Sequence, residues 1–203
     1  LTFQVVVRDN NFGGGATGAD KMNFKATDQA GPFLVTYPNN FVTWPMTSAQ
    51  TVTWDVANTD GSPVNCKYVN ILLSIDGGFN YPYTLACQTP NDGSETIIVP
   101  AIPNALTSAR IRVQAYGNVF FDISNQNFAI TKPTAEALYF NTSNCFQKFC
   151  TPENISIDLF LTPFNGYNQA VSYEVKGLPA GCTYNFTKNP VSPNEYSALN
   201  LSF

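Results

Sequence analysis

The chain is 203 residues long and carries a formal charge of −4, with only 12% charged residues, where an ordinary soluble domain has roughly 25%. It contains no histidine, which excludes a Ser-His-Asp triad, a Cys-His dyad and a His-built zinc site within the chain. Its ten Lys and Arg are spread thinly, so nothing marks a nucleic acid or an anionic membrane as a partner, and no apolar run approaches the ~18 residues of a membrane span.

Short runs rich in Val, Ile, Thr, Tyr and Phe alternate with Gly/Pro/Asn/Asp clusters, and no stretch keeps a helical period, so an all-β chain is expected. Strands are predicted over residues 3–8 and 21–27. They continue over 33–37, 51–56, 69–75, 84–87, 95–99, 109–115, 120–123 and 127–130, and then over 137–141, 155–160, 170–176, 183–186 and 197–202. The first two bracket NNFGGGATGAD and are too few to bury a core. Residues 1–30 are therefore expected to be the last strands of a preceding sandwich, and LTFQVVV, opening within a strand, makes the sequence read as a fragment of something longer. Residues 31–131 carry strands at the spacing of an immunoglobulin-like or fibronectin type III-like sandwich. Residues 132–203 are expected to form a second, incomplete immunoglobulin-like sandwich. The fold class is thus tandem β-sandwiches, and short linkers at 28–32 and 131–134 predict closely coupled modules.

Alternation sets the expected core of the central module. TVTWDV places Val52, Trp54 and Val56 on one face, with Trp54 as the buried anchor between sheets. In ARIRVQA, Ile111 and Val113 point inward while Arg110, Arg112 and Gln114 face water.

SIDGGFNY, Ser74 to Tyr81, is similar to the Asp-box turn seen in sialidases. Asp76 is expected to accept hydrogen bonds from the turn's own amides, Gly77 and Gly78 to supply positive φ, and Tyr81 to pack beneath, a structural role. RDNNFGGGATGAD offers oxygens from Asp9, Asn10, Asn11 and Asp20, so a calcium ion is one reading of this loop and a plain long hairpin tip the other. It lacks both the EF-hand spacing and the Lys-Ser/Thr of a phosphate loop. No cofactor other than that calcium is indicated.

Five cysteines leave one unpaired within the chain. Cys66 and Cys87 flank NILLSIDGGFNYPYTL, where the readings are a disulfide closing that unit or two buried thiols. Cys150 and Cys182 are candidates for a bridge in the last segment, with Cys145 competing for either. The acids Asp55, Asp60, Asp76, Asp92 and Glu95 sit in turn-like sequences without the facing pair a glycosidase needs, and no catalytic residue is assigned. A sugar-stacking platform would draw on the aromatics Phe33, Tyr37, Phe41, Trp44, Tyr81, Tyr83, Tyr116, Phe120 and Phe121, of which Trp44 in FVTWP is the candidate for exposure; a loop aromatic packed against the sandwich end is the commoner outcome.

In order, GPFLVTYP, TVTWDVANTDGSPVNCKYVNILLSIDGGFNYPYTLA, PNDGSETIIVP and ARIRVQAYGNVFFDISNQNFAI resemble the non-catalytic β-sandwich module found C-terminal to reprolysin-like zinc metalloproteases secreted by Bacteroidetes. CTPENISIDL with GLPAGCTYNFTKNPVSP resembles a second extracellular immunoglobulin-like repeat of such proteins. The HExxH helix of the enzymes is not in this chain. The resemblance implies a secreted or cell-surface location, export by the type IX system with a sorting domain beyond Phe203, and no enzymatic activity. It implies a role in spacing or docking other domains of the same polypeptide, and in adhesion. The alternative is a module that binds a cell-surface glycan or protein.

Overall fold

The computed structural model describes residues 1–9, 13–142 and 154–203. Asn10, Asn11, Cys145 and Cys150 lie outside the described residues. No helix occurs among those described, and the chain is all-β.

Strands β1 (Thr2–Arg8) and β2 (Thr17–Asn23) form an antiparallel ribbon in register from Thr2↔Asn23 to Arg8↔Thr17, with every residue of both strands exposed. The second strand begins four residues before the predicted start, at Thr17 rather than Lys21. TGADKMN has little alternation to announce it; the ladder to β1 fixes its extent.

The central unit contains β3 (Leu34–Tyr37), β4 (Thr43–Pro45), β5 (Ala49–Asp55), β6 (Tyr68–Ser74), β7 (Tyr83–Pro90), β8 (Ser94–Ile98), β9 (Leu106–Ala115), β10 (Phe121–Ile123) and β11 (Phe128–Thr131). One sheet has the order β3-β5-β8. The other has the order β4-β11-β9-β6-β7, with β10 also paired to β9. All pairings are antiparallel except β4 with β11, which run parallel with Ala129 opposite Thr43 and Thr131 opposite Pro45.

The inner faces of these two sheets make one core: Val35, Val52, Trp54 and Ile97 from the smaller sheet meet Trp44, Val69, Ile71, Leu73, Ile111, Val113, Phe128 and Ile130 from the larger. Burying each such side chain contributes about 1.5–3 kcal/mol. The alternation along β9 is complete, with Ala109, Ile111, Val113 and Ala115 buried and the residues between them turned outward. Trp44 is the packed aromatic and not the exposed one, and it stands in a strand where a loop was expected. It lies in β4, 1% exposed, with its ring 4.5 Å from that of Phe128. Pairing of β4 with the sandwich's last strand turns the tryptophan inward.

The last unit is one antiparallel sheet of β12 (Ala137–Thr142), β13 (Ile155–Phe164), β14 (Thr183–Phe186) and β15 (Ser197–Ser202) in the order β12-β13-β15-β14. Among the described residues it has no second sheet. The predicted strand over 170–176 is absent as a ladder: Val171 makes one isolated bridge with Val191, and the next partner of Tyr173 is the Asn189 side chain rather than backbone. Pro190, with no N–H to give, helps to end pairing there. The segment keeps its alternation even so. Val171, Tyr173 and Val175 lie over the apolar sheet face, Tyr173 between Phe140 and Phe186, and together they line a groove of ≈ 500 Å³.

The central and last units are joined through residues 132–136. Phe164, the final residue of β13, packs against the central core, and the Asn165 amide donates to the carbonyls of Pro133 (2.7 Å) and Ala135 (2.6 Å). Tyr139 on β12 faces Tyr83 on β7, and burial, with a smaller push from Tyr83, raises its hydroxyl pKa.

Candidate functional site

The outer face of the larger sheet brings arginine and aromatic rings together. Of three arginines in the sequence, two stand two residues apart on β9 and point outward. Arg110 is committed to structure: Nε donates to Asn127 Oδ1 at 2.7 Å and Nη1 to the Ser124 carbonyl at 2.9 Å.

Arg112 is held differently. Its guanidinium carbon lies 4.1 Å from the centroid of Tyr81 and 5.7 Å from that of Phe121. No acceptor among the described residues takes a hydrogen bond from it, and its buried Nε is unpartnered. The terminal nitrogens are the donors left facing water. Aromatic contacts with a guanidinium are worth about 0.5–2 kcal/mol, enough to fix the fork's orientation without using its hydrogen-bonding edge.

The turn from Ser74 to Tyr81 places the ring beneath Arg112. Asp76 Oδ1 accepts from Ser74 Oγ (2.7 Å), the Asn80 amide (2.9 Å) and the Phe79 amide (3.1 Å), and Oδ2 accepts from Asn80 Nδ2 (2.6 Å). These bonds, the Asn80 amide foremost, lower the Asp76 pKa from 3.8 to about 2. Ser74 Oγ receives the Gly78 amide at 2.8 Å, and the Gly77 amide reaches the Ser108 carbonyl at 2.8 Å, seating the turn against the start of β9. Gly77 and Gly78 have φ of 80° and 99°, and a Cβ on Gly78 would lie 3.3 Å from the Tyr81 hydroxyl. Burial raises the pKa of that hydroxyl, opposed by Arg112 and then Arg110. Phe79, at the tip, is 88% exposed.

The metal reading of the first loop fares differently. Asp9 Oδ1 accepts the Ala16 amide at 2.8 Å and closes the ribbon's end, while Asp20 sits opposite Val5 and takes the Lys21 amide. Val5 and Asp9 are four residues apart, or ~13 Å along a strand. The ribbon's ladder therefore separates the two carboxylates. Asn10 and Asn11 lie outside the described residues, and no group of three or more His, Cys, Asp or Glu gathers among those described.

The disulfide pairings also change. Cys66 is a free, buried thiol that donates to the Tyr68 carbonyl at 3.2 Å, and Cys182 is free and half-buried. Cys87 is disulfide-bonded, with neither of them. The Cys66–Cys87 closure fails because Cys66 is turned into the end of the core, where burial pushes its pKa up. The expected Cys150–Cys182 bridge fails on the free Cys182 thiol.

The turn acids do not face one another as acid and base. Asp55 accepts the Ala57 amide, Asp92 the Ser94 amide, and Glu95 the Thr96 amide and the Thr89 hydroxyl. A groove of ≈ 640 Å³ between the ribbon and the sandwich is lined by Leu1, Phe3, Phe24, Val119, Phe120 and neighbours, with no carboxylate.

Sequence reasoning missed Asn91. Placed in a turn by its NDG sequence, it is 5% exposed and accepts the Trp54 indole N–H at 2.9 Å while donating to Thr59 Oγ1 and the Cys66 carbonyl, both at 3.0 Å.

Two sheets packed over one core, with β4 closing in parallel on β11, define an immunoglobulin-like β-sandwich. No family model matches the chain, and no curated protein matches it. Among solved structures it is similar to a chimeric titin Z1Z2 functionalized with a KLER exogenous peptide from decorin, at 14% identity over 87% of this chain and 84% of that one, with a TM-score of 0.28.

Proposed function

We propose that this chain is a non-catalytic segment of a secreted or cell-surface bacterial protein, in which β-sandwich modules hold other domains of the same polypeptide at a fixed spacing. The sequence resemblance to modules accompanying reprolysin-like zinc metalloproteases of Bacteroidetes supports the location and the parent protein. The observation that carries the spacing role is the joint between the two larger units. Asn165 binds two linker carbonyls, Phe164 packs half-buried against the central core, and Tyr139 is half-buried within electrostatic reach of Tyr83. A five-residue connection so tied transmits orientation instead of acting as a hinge.

Small-angle scattering of the whole chain tests this. The wild type is expected to scatter as one shape, and Asn165→Ala combined with Phe164→Ala to broaden the distance distribution. A wild-type profile typical of freely jointed bodies sinks the spacer reading.

A second reading, a module that binds a surface ligand, is favoured by the outward Arg112, Phe121 and Phe79. It shares the non-catalytic assignment and differs in what the sheet face does.

A further inference from the structure

We propose that the outer face of the larger sheet is a docking surface for an acidic segment of a protein partner, with Arg112 receiving one of its carboxylates. The inference extends the non-catalytic reading above by assigning a partner chemistry, and does not depend on the stiffness of the joint.

Four observations converge. First, Arg112 is oriented but unspent: its face rests on Tyr81, Phe121 stands beside it, and no described acceptor uses its donors. A guanidinium so fixed offers a planar fork, whose match is a carboxylate bound through two parallel hydrogen bonds.

Second, nearby acids are occupied. Asp76 is saturated by its own turn, and Asp122 Oδ2 accepts the Val35 amide at 2.7 Å. The ion pairs among the described residues are Lys176–Glu174 and Lys188–Glu195, both in the last unit. Third, the chain is acidic overall, with a net charge of −4, so a paired-arginine strand is a local reversal of sign that selects an anionic partner.

Fourth, the surroundings suit a protein surface better than a small ligand. The face is an open sheet flanked by Phe79 at the turn tip and by Phe121, 53% exposed. Arg and aromatic residues on a flat surface are the composition enriched at protein–protein contacts. The rings give apolar flanks, and Arg112 supplies register and specificity.

The test is a selection of random displayed peptides against the intact chain. Enriched peptides are expected to share one Asp or Glu at a fixed position beside apolar residues. Replacing it with Asn or Gln, or introducing Arg112→Gln, should weaken binding by roughly tenfold or more, the scale of a charge-assisted bidentate pair. Arg112→Lys keeps the charge and loses the fork, so it should recover only a small part. Each variant must keep the wild-type melting temperature, and Phe121→Ala, which leaves the charges intact, should weaken binding less than Arg112→Gln. The proposal is overturned if no peptide is enriched over a blank surface, if enriched peptides lack an acid, or if Arg112→Gln binds them equally well. It is equally overturned, in the class of partner, if oligogalacturonate binds through Arg112 and acidic peptides do not.

Discussion

The indole N–H of Trp54 on β5 is bound by the side-chain carbonyl of Asn91, 37 residues further along, at 2.9 Å. The same amide reaches Thr59 and the Cys66 carbonyl, so one buried side chain in the turn between β7 and β8 ties β5 to both ends of the loop between β5 and β6. Asn91→Ala removes an acceptor and two donors at once. A buried group left unpaired costs about 1–3 kcal/mol, and the variant is expected to lose about 3 kcal/mol, read as a lower urea midpoint followed by tryptophan fluorescence.

Trp44 offers a contrast with a neighbouring aromatic. It is 1% exposed, whereas Phe41, three residues earlier, is 62% exposed. Truncating a buried aromatic costs about 3–5 kcal/mol, while a surface substitution stays within about 0.5 kcal/mol. Trp44→Ala should therefore unfold the central unit readily and Phe41→Ala should leave its melting temperature nearly unchanged. Equal effects would show that Trp44 is not part of the core.

Asp76 predicts a pH dependence. Its folded pKa is depressed from 3.8 to about 2, so the folded state holds the ionised form better than the unfolded state does. The stability contributed is complete above the unfolded value and is lost as pH falls from about 3.8 toward 2. The gap in melting temperature between wild type and Asp76→Asn should be constant from neutral pH down to about 5 and close over that acidic window. A gap that widens on acidification contradicts the assignment.

Cysteine labelling checks the thiols. Cys182 is half-buried and free, Cys66 is buried with its pKa raised, and Cys87 is bonded. Alkylation mapped by mass spectrometry should mark Cys182 first, Cys66 only after denaturation, and Cys87 only after reduction. Early labelling of Cys87 without reductant would remove its bridge.

Where periodicity speaks for local structure, the sequence was readable. Ala109 to Ala115 alternates so cleanly that the inward and outward sets of β9 follow from it, and Trp54 falls on the predicted inner face. The turn from Ser74 to Tyr81 was likewise legible, because its bonds run between residues at most four apart.

What was hidden depends on distant partners. The three residues of β4 have no period to detect, and only their pairing with β11 makes a strand and buries Trp44. Asn91 has a turn's sequence and a core residue's role because Trp54 lies opposite it in space. Spacing alone brought Cys66 beside Cys87 on paper, while the actual thiol is turned to the Tyr68 carbonyl. The candidate site was half visible. The outward arginines could be read from β9, but not the stacking of Arg112 on Tyr81, which requires the turn leaving β6 to fold back over the neighbouring strand β9.

The parallel pairing of β4 with β11 gives the central sandwich a direction in which it resists force. β4 lies near the unit's start and β11 at its end, and Met46 N donates to the Thr131 carbonyl just beyond the ladder. A pull applied through the chain on either side draws these two strands along their length in opposite senses. The evenly spaced bonds of a parallel ladder then bear the load together in shear, rather than opening one after another as in a peeled hairpin. Tension carried along the polypeptide reaches this short seam once the pairing of β3 with β5 has been passed, so three residues with almost no signature in the sequence are placed to carry load in shear.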